Sequence, residues 1–103
     1  NRSHLGIYVL EVIMKDLTLF VSSKCPDCPP AIEYVKNSGV DVNIVDITES
    51  MKNLKQFLKY RDVDPYFDMT KAANNVGVPT FMVGDGEKFF SFEDGMDLKK
   101  EIM

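Results

Sequence analysis

From residue 17 onward, short β-branched and aromatic runs alternate with stretches whose apolar residues recur at helical spacing. Leu17-Thr18-Leu19-Phe20-Val21 ends at Ser22-Ser23, which predicts a buried strand delivering the chain to a loop. Ile32 and Val35 share a helical face, and Gly39 after Ser38 supplies a C-terminal stop. Residues 42–47 read as a second strand. Met51, Leu54, Phe57, Leu58 and Arg61 then repeat at helical spacing, with Thr48 or Ser50 as the N-cap. Asp64-Pro65 predicts a further helix start, running through Lys71-Ala72-Ala73 and stopping near residues 75–77. Residues 80–83 and 88–92 read as strands joined by a Gly84-Asp85-Gly86 hairpin turn. Phe89 and Phe90 must face opposite sides of that last strand, one under a helix and the other toward solvent or a partner. Asp94 is the expected cap of a final helix over 96–102. The first two strands should be parallel, joined by a right-handed crossover helix, and the last two antiparallel. The pattern therefore predicts an α/β domain with a four-stranded mixed sheet flanked by helices.

A chain of 103 residues has room for one domain and one modest core. Its balance of 45% apolar and 27% charged residues belongs to a globular protein, not a disordered one. The formal charge of −4, with Lys and Arg scattered, speaks against a nucleic-acid or anionic-membrane binder, which needs a basic face. No stretch reaches the ~20 apolar residues of a membrane span. The apolar run over 5–13 is interrupted by Glu11 and lacks a small-x-small cleavage site, so it is not read as a secretory signal. Met14 is the expected native start, which makes residues 1–13 a non-native upstream segment and 14–103 the domain. The alternative for 5–13 is an extra strand pairing with a sheet edge, within a monomer or in a dimer.

Both cysteines lie in one Cys-x-x-Cys, Cys25-Pro26-Asp27-Cys28, between the first strand and the first helix. A bond between them would close almost no loop, so the pair is poorly placed for a structural role. A reducing, cytoplasmic setting is expected. At a helix start, unpaired N–H groups and the positive end of the dipole stabilise a thiolate. A thiol there can have its pKa lowered to about 3.5–7.5. Cys25, nearer solvent, would attack a substrate disulfide, and Cys28, one turn on, would resolve the mixed disulfide. Lys24 adds positive charge beside Cys25 while Asp27 opposes it. A zinc site needs four ligands, and the chain offers only His4 besides this pair. Two inert buried thiols are the other reading. Gly77-Val78-Pro79-Thr80 places a proline just before a strand, where a cis bond in a tight turn and an ordinary trans proline are equally open.

From Met14 to Met103 the chain resembles the glutaredoxins of the thioredoxin superfamily. Cys25-Pro26-Asp27-Cys28 is similar to the family's Cys-Pro-Tyr-Cys, and Val78-Pro79 to its Thr-Val-Pro, with Gly77 in place of Thr. The resemblance implies a thioredoxin fold, Cys25 as nucleophile, Cys28 as resolving thiol and Pro79 in cis beside them. It also implies that the Val78 backbone pairs with the cysteinyl part of a thiol substrate, with glutathione as co-substrate and no tightly bound cofactor. Asp94 would match the acidic residue that meets the glutathione amino group, and Tyr66 would line the groove beside Pro79.

There are departures from the family pattern. Ser22 and Ser23 stand where the family carries a Lys or Arg, leaving Lys24 as the adjacent cation. Ser91-Phe92-Glu93-Asp94 replaces the family's Gly-Gly, and Phe92 is expected to narrow the groove. Pro29-Pro30 is expected to delay the start of the helix. The expected function is therefore a thiol–disulfide oxidoreductase acting on protein or low-molecular-weight disulfides. Glutathione is the first-choice reductant, and thioredoxin reductase is the alternative. An iron–sulfur cluster module bridging two chains through Cys25 and a catalytically dead scaffold are the readings from other classes.

Overall fold

The computed structural model describes residues 16–93 and 95–102. Strand β1 (Leu17–Val21) is one of two interior strands of a four-stranded sheet. The sheet order is β2-β1-β3-β4, with β2 at Asn43–Asp46, β3 at Thr80–Val83 and β4 at Lys88–Ser91. β1 runs parallel to β2, in the register Phe20 with Val45, and antiparallel to β3, Leu19 opposite Phe81. β3 and β4 form an antiparallel pair with Phe81 opposite Phe90. This is the mixed sheet of a thioredoxin fold.

Every residue of β1 and β3 is buried, because both faces of the sheet are covered. An interior strand covered on both sides reads as a continuous apolar run, not an alternation. One face packs Leu17, Leu19 and Val21 with Phe81 and Val83 against Cys28, Ala31 and Val35 of helix α1 (Cys28–Ser38). Leu98, the first residue of helix α4 (Leu98–Ile102), closes that core. The opposite face packs Phe20, Met82 and Phe89 against Phe57 of helix α2 (Met51–Arg61) and Phe67. Phe67 ends a 3₁₀ turn over Pro65–Phe67 that leads into the short helix α3 (Asp68–Ala72).

Local signals explain the element ends. Gly39 takes φ 75° and stops α1, as its sequence position predicts. Ser50 caps α2 by accepting from the Asn53 N–H at 3.1 Å, which leaves Thr48 for other use. Asp64 caps the 3₁₀ turn with a carboxylate oxygen 3.0 Å from the Tyr66 nitrogen.

Several expected boundaries shift. The second strand is shorter than 42–47, although its successor Ile47 still donates to the Val21 carbonyl. The single helix expected after Asp64 is a 3₁₀ turn followed by five helical residues, ended where Asn74 turns left-handed at φ 61°. β4 stops at Ser91, and α4 begins two residues later than expected because a turn takes Met96, whose N–H donates to the Glu93 carbonyl. Pro29-Pro30 does not delay α1. The helix begins at Cys28, and both prolines sit in its first turn, where a missing N–H breaks no helical bond. Neither of the adjacent rings of β4 is left to solvent or a partner: Phe89 packs in the second core, and Phe90 stacks on Phe81 with ring centroids 4.8 Å apart and covers the first. The segment 5–13 and Asp94 lie outside the described residues.

Candidate active site

β1 and the loop after β2 end side by side and build the floor of the site. Asp46 accepts from both the hydroxyl (2.7 Å) and the N–H (2.9 Å) of Thr48. These two bonds, the hydroxyl's first, hold the Asp46 carboxyl below its usual pKa. With its proton given to Asp46, Thr48 accepts from the Ser22 hydroxyl at 3.0 Å. Ser22 Oγ in turn accepts the Lys24 N–H at 3.1 Å. The Cys25 N–H donates to the Ser22 carbonyl at 3.1 Å and the Cys28 N–H to the Cys25 carbonyl at 3.3 Å. A carboxylate on one strand thus fixes, through two hydroxyls, the loop that carries the first cysteine.

The two sulfurs meet unlike surroundings. Cys28, the first residue of α1, is 0% exposed and packs in the core with Ala31 and Val35. Its Sγ accepts the Ser22 N–H at 3.4 Å. Burial pushes the Cys28 thiol up to about 12; the Ser22 N–H pulls the other way, and Cys25 and the Asp27 carboxylate add to the rise. Cys28 therefore keeps its proton at neutral pH. Cys25 is half-buried, with its Sγ 3.8 Å from the Val78 carbonyl oxygen. Both are free thiols. A disulfide arriving from solvent meets Cys25 first.

The Val78-Pro79 bond is cis, as the resemblance implies. Lys24, Cys25, Val78, Pro79 and Tyr66 all line one cleft of about 700 Å³ beside the cysteine loop. Tyr66 is brought there by the 3₁₀ turn: its ring stacks on Phe89 at 5.6 Å and its hydroxyl lies 2.7 Å from Ser91 Oγ. Phe92 lines an adjoining, smaller cleft of about 430 Å³ with Asp27, Pro30, Pro79 and Ser91. Asp94, the remaining candidate, lies outside the described residues. Among the described residues, no group of three or more His, Cys, Asp or Glu side chains is gathered to hold a metal ion.

Sequence reasoning missed two supports of this site. One is the chain from Asp46 through Thr48 to Ser22. The other is Arg61, the last residue of α2, whose Nε donates to the Val76 carbonyl (2.7 Å) and whose terminal nitrogen donates to that of Asn75 (2.8 Å). Arg61 thereby grips the segment leading into Val78. Its helical spacing carried no sign of this role, since a charged residue at a helix end reads as solvated.

The sheet order, the cis-proline and the paired cysteines at a helix start define a thioredoxin-fold protein with a dithiol site. The Glutaredoxin family model matches residues 17–87, from the start of β1 to the turn before β4. The chain belongs to the glutaredoxin family, and its general class is that of thiol–disulfide oxidoreductases. It is similar to an uncharacterized protein of Haemophilus influenzae, 38% identical over 69 residues that span 67% of this chain and 80% of the relative. Its fold matches the crystal structure of a glutaredoxin from Archaeoglobus fulgidus with a TM-score of 0.56 at 24% identity, covering 84% of this chain and 85% of the other.

Proposed function

We propose that this protein reduces disulfides of proteins or of low-molecular-weight thiols through Cys25 and Cys28, in the cytoplasm, with glutathione as electron donor. The unequal burial of the two thiols supports this most: one sulfur in the cleft and the other fully buried at the helix start. Cys25, as thiolate, attacks one sulfur of the substrate disulfide. That bond breaks, a mixed disulfide forms on Cys25, and the first substrate thiol leaves with a proton. Cys28 then gives up its proton and attacks Cys25 Sγ, releasing the second thiol and leaving a Cys25–Cys28 disulfide. Two glutathione molecules return the pair to thiols and become glutathione disulfide. Val78 offers its backbone to the cysteinyl part of the substrate, Tyr66 walls the cleft, and Lys24 faces a substrate carboxylate.

One observation favours thioredoxin reductase as donor instead. Among the described residues lining the cleft, Lys24 is the one cation, and Asp27 stands with it. The discriminating experiment drives reduction of a small mixed disulfide by glutathione and by thioredoxin reductase in parallel. Glutathione-driven turnover that disappears in Cys25→Ser supports the first reading. Turnover with the reductase alone replaces it with the second.

A further inference from the structure

The cleft beside Cys25 continues past Pro79. It and the smaller cleft share Asp27, Pro79 and Ser91, so together they make one trough that crosses the proline. Beyond the crossing, Pro30 and Phe92 give apolar side chains to a lining completed by Asp27, Pro79 and Ser91. Phe92 is held from behind by the Tyr34 ring, centroid to centroid 5.5 Å. Tyr34 is itself fixed, since its hydroxyl donates to the Met96 carbonyl at 2.5 Å and accepts the Leu98 N–H at 3.3 Å. The ring of Phe92 therefore stands on a braced support.

The same trough offers little to an anion. Among the described residues that line it, Lys24 and Asp27 carry the charge, and they oppose each other. The N–H groups of Ser22, Lys24, Cys25 and Cys28 are already donated within the loop. Pro29 and Pro30 remove two of the N–H groups that a helix start otherwise turns toward a carboxylate. Ser91 and Phe92 lie beyond the stretch that the family model matches. Among the described residues past Pro79 a small anionic thiol meets no cation, whereas a longer chain crossing it brings a side chain to Pro30 and Phe92.

We infer that Pro30, Pro79 and Phe92 form a side-chain subsite for a bulky apolar residue flanking the substrate cysteine, and that the substrate is a protein disulfide presented as an extended segment. The inference rests on the dithiol reading above and uses its chemistry unchanged. The substrate cysteine sits over Cys25, and the flanking side chain seats against Phe92 and discriminates between substrates.

The test uses the full chain and synthetic pentapeptides with a central cysteine in mixed disulfide with a small aromatic thiol. One peptide has glycine at all four flanking positions, and four others carry a single Phe at one of them. At one position, Phe raises kcat/KM by about tenfold or more over the glycine peptide, as an apolar group does in a fitted pocket. In Phe92→Ala that ratio falls toward one, and Phe92→Leu restores most of it; melting curves of both variants establish that they are folded. Equal rates on all five peptides, or a ratio that survives Phe92→Ala in a folded protein, overturns the subsite. Failure to reduce any peptide overturns the dithiol reading itself, which separates the two outcomes.

Discussion

At the scale of single residues, the candidate site holds two identical side chains in unequal surroundings. Cys28 is enclosed by the core that Leu19, Val21 and Phe81 complete, and its proton is held by that burial. The unfolded chain releases this proton near the usual value of 9.0, while the folded chain holds it to about 12. Between those values the unfolded state binds fewer protons, so stability falls as pH rises. Tyr60, held to about 12 first by its hydrogen bond to Asp85 and then by burial, tilts stability the same way. Cys28→Ser removes one contribution and leaves the other. Thermal melts at pH 8 and pH 10.5 should show a smaller alkaline loss in the variant than in the native protein. Asp46 acts at the other end of the scale: its depressed carboxyl contributes stability above its ordinary pKa of 3.8 that disappears as pH falls below it. Asp46→Ala also frees Thr48 and Ser22 to reorient. Activity should therefore fall even at neutral pH, where the fold persists, and a disulfide-reduction assay beside a melting curve checks both statements.

Among the elements, the segment joining α3 to β3 decides how the cleft is presented. Gly77 takes φ 110°, and a Cβ there would lie 3.2 Å from Thr70 Cγ2 and 3.3 Å from the Phe67 ring. The position that the resemblance pairs with a threonine in relatives thus requires glycine here. Arg61 grips the same segment from α2 through the carbonyls of Asn75 and Val76. Arg61→Met should raise KM for a disulfide substrate more than it lowers kcat, because Val78 is then less firmly placed. Arg61→Lys should recover only part of the loss, lacking the planar fork. An unchanged KM in a folded Arg61→Met would show that this grip does not position the cleft. The prolines after Cys28 illustrate why a local rule depends on position: sitting in the first turn, they leave the start of α1 where it is.

For the whole molecule, the four strands, the parallel first pair and the closing hairpin followed from patterns legible along the chain, whereas the pairing of β1 with β3 and the split of the expected single core into one on each face of the sheet did not. The apolar run of β1 announced a buried strand, residues 80–83 announced another strand, and the Cys-x-x-Cys and Val78-Pro79 announced where the chain places the candidate site. Other parts were hidden because they depend on residues distant in sequence and carry no periodicity. Ser22 and Thr48, whose hydroxyls meet in the floor of the site, are 26 positions apart. Tyr34 reaches Met96 across 62 positions. Short hydroxyl side chains and a tyrosine on a helix give no signal of such partners. The second core rests on Phe57, fully buried and ringed by Phe20 and Phe67 at 5.1 and 5.6 Å. Phe57→Ala should destabilise the protein by about 3–5 kcal/mol, and a shift in its denaturation midpoint measures it.

The division of labour between the two cysteines is tested most directly by trapping. A substrate mixed disulfide is added to Cys28→Ser and to Cys25→Ser, and the intact mass of each is recorded. Cys28→Ser should gain the mass of one substrate thiol, reversibly under reductant, because Cys25 attacks and nothing resolves the product. Cys25→Ser should gain none, its remaining thiol being buried and protonated. An adduct that forms as readily on Cys25→Ser as on Cys28→Ser would contradict the assignment of Cys25 as nucleophile.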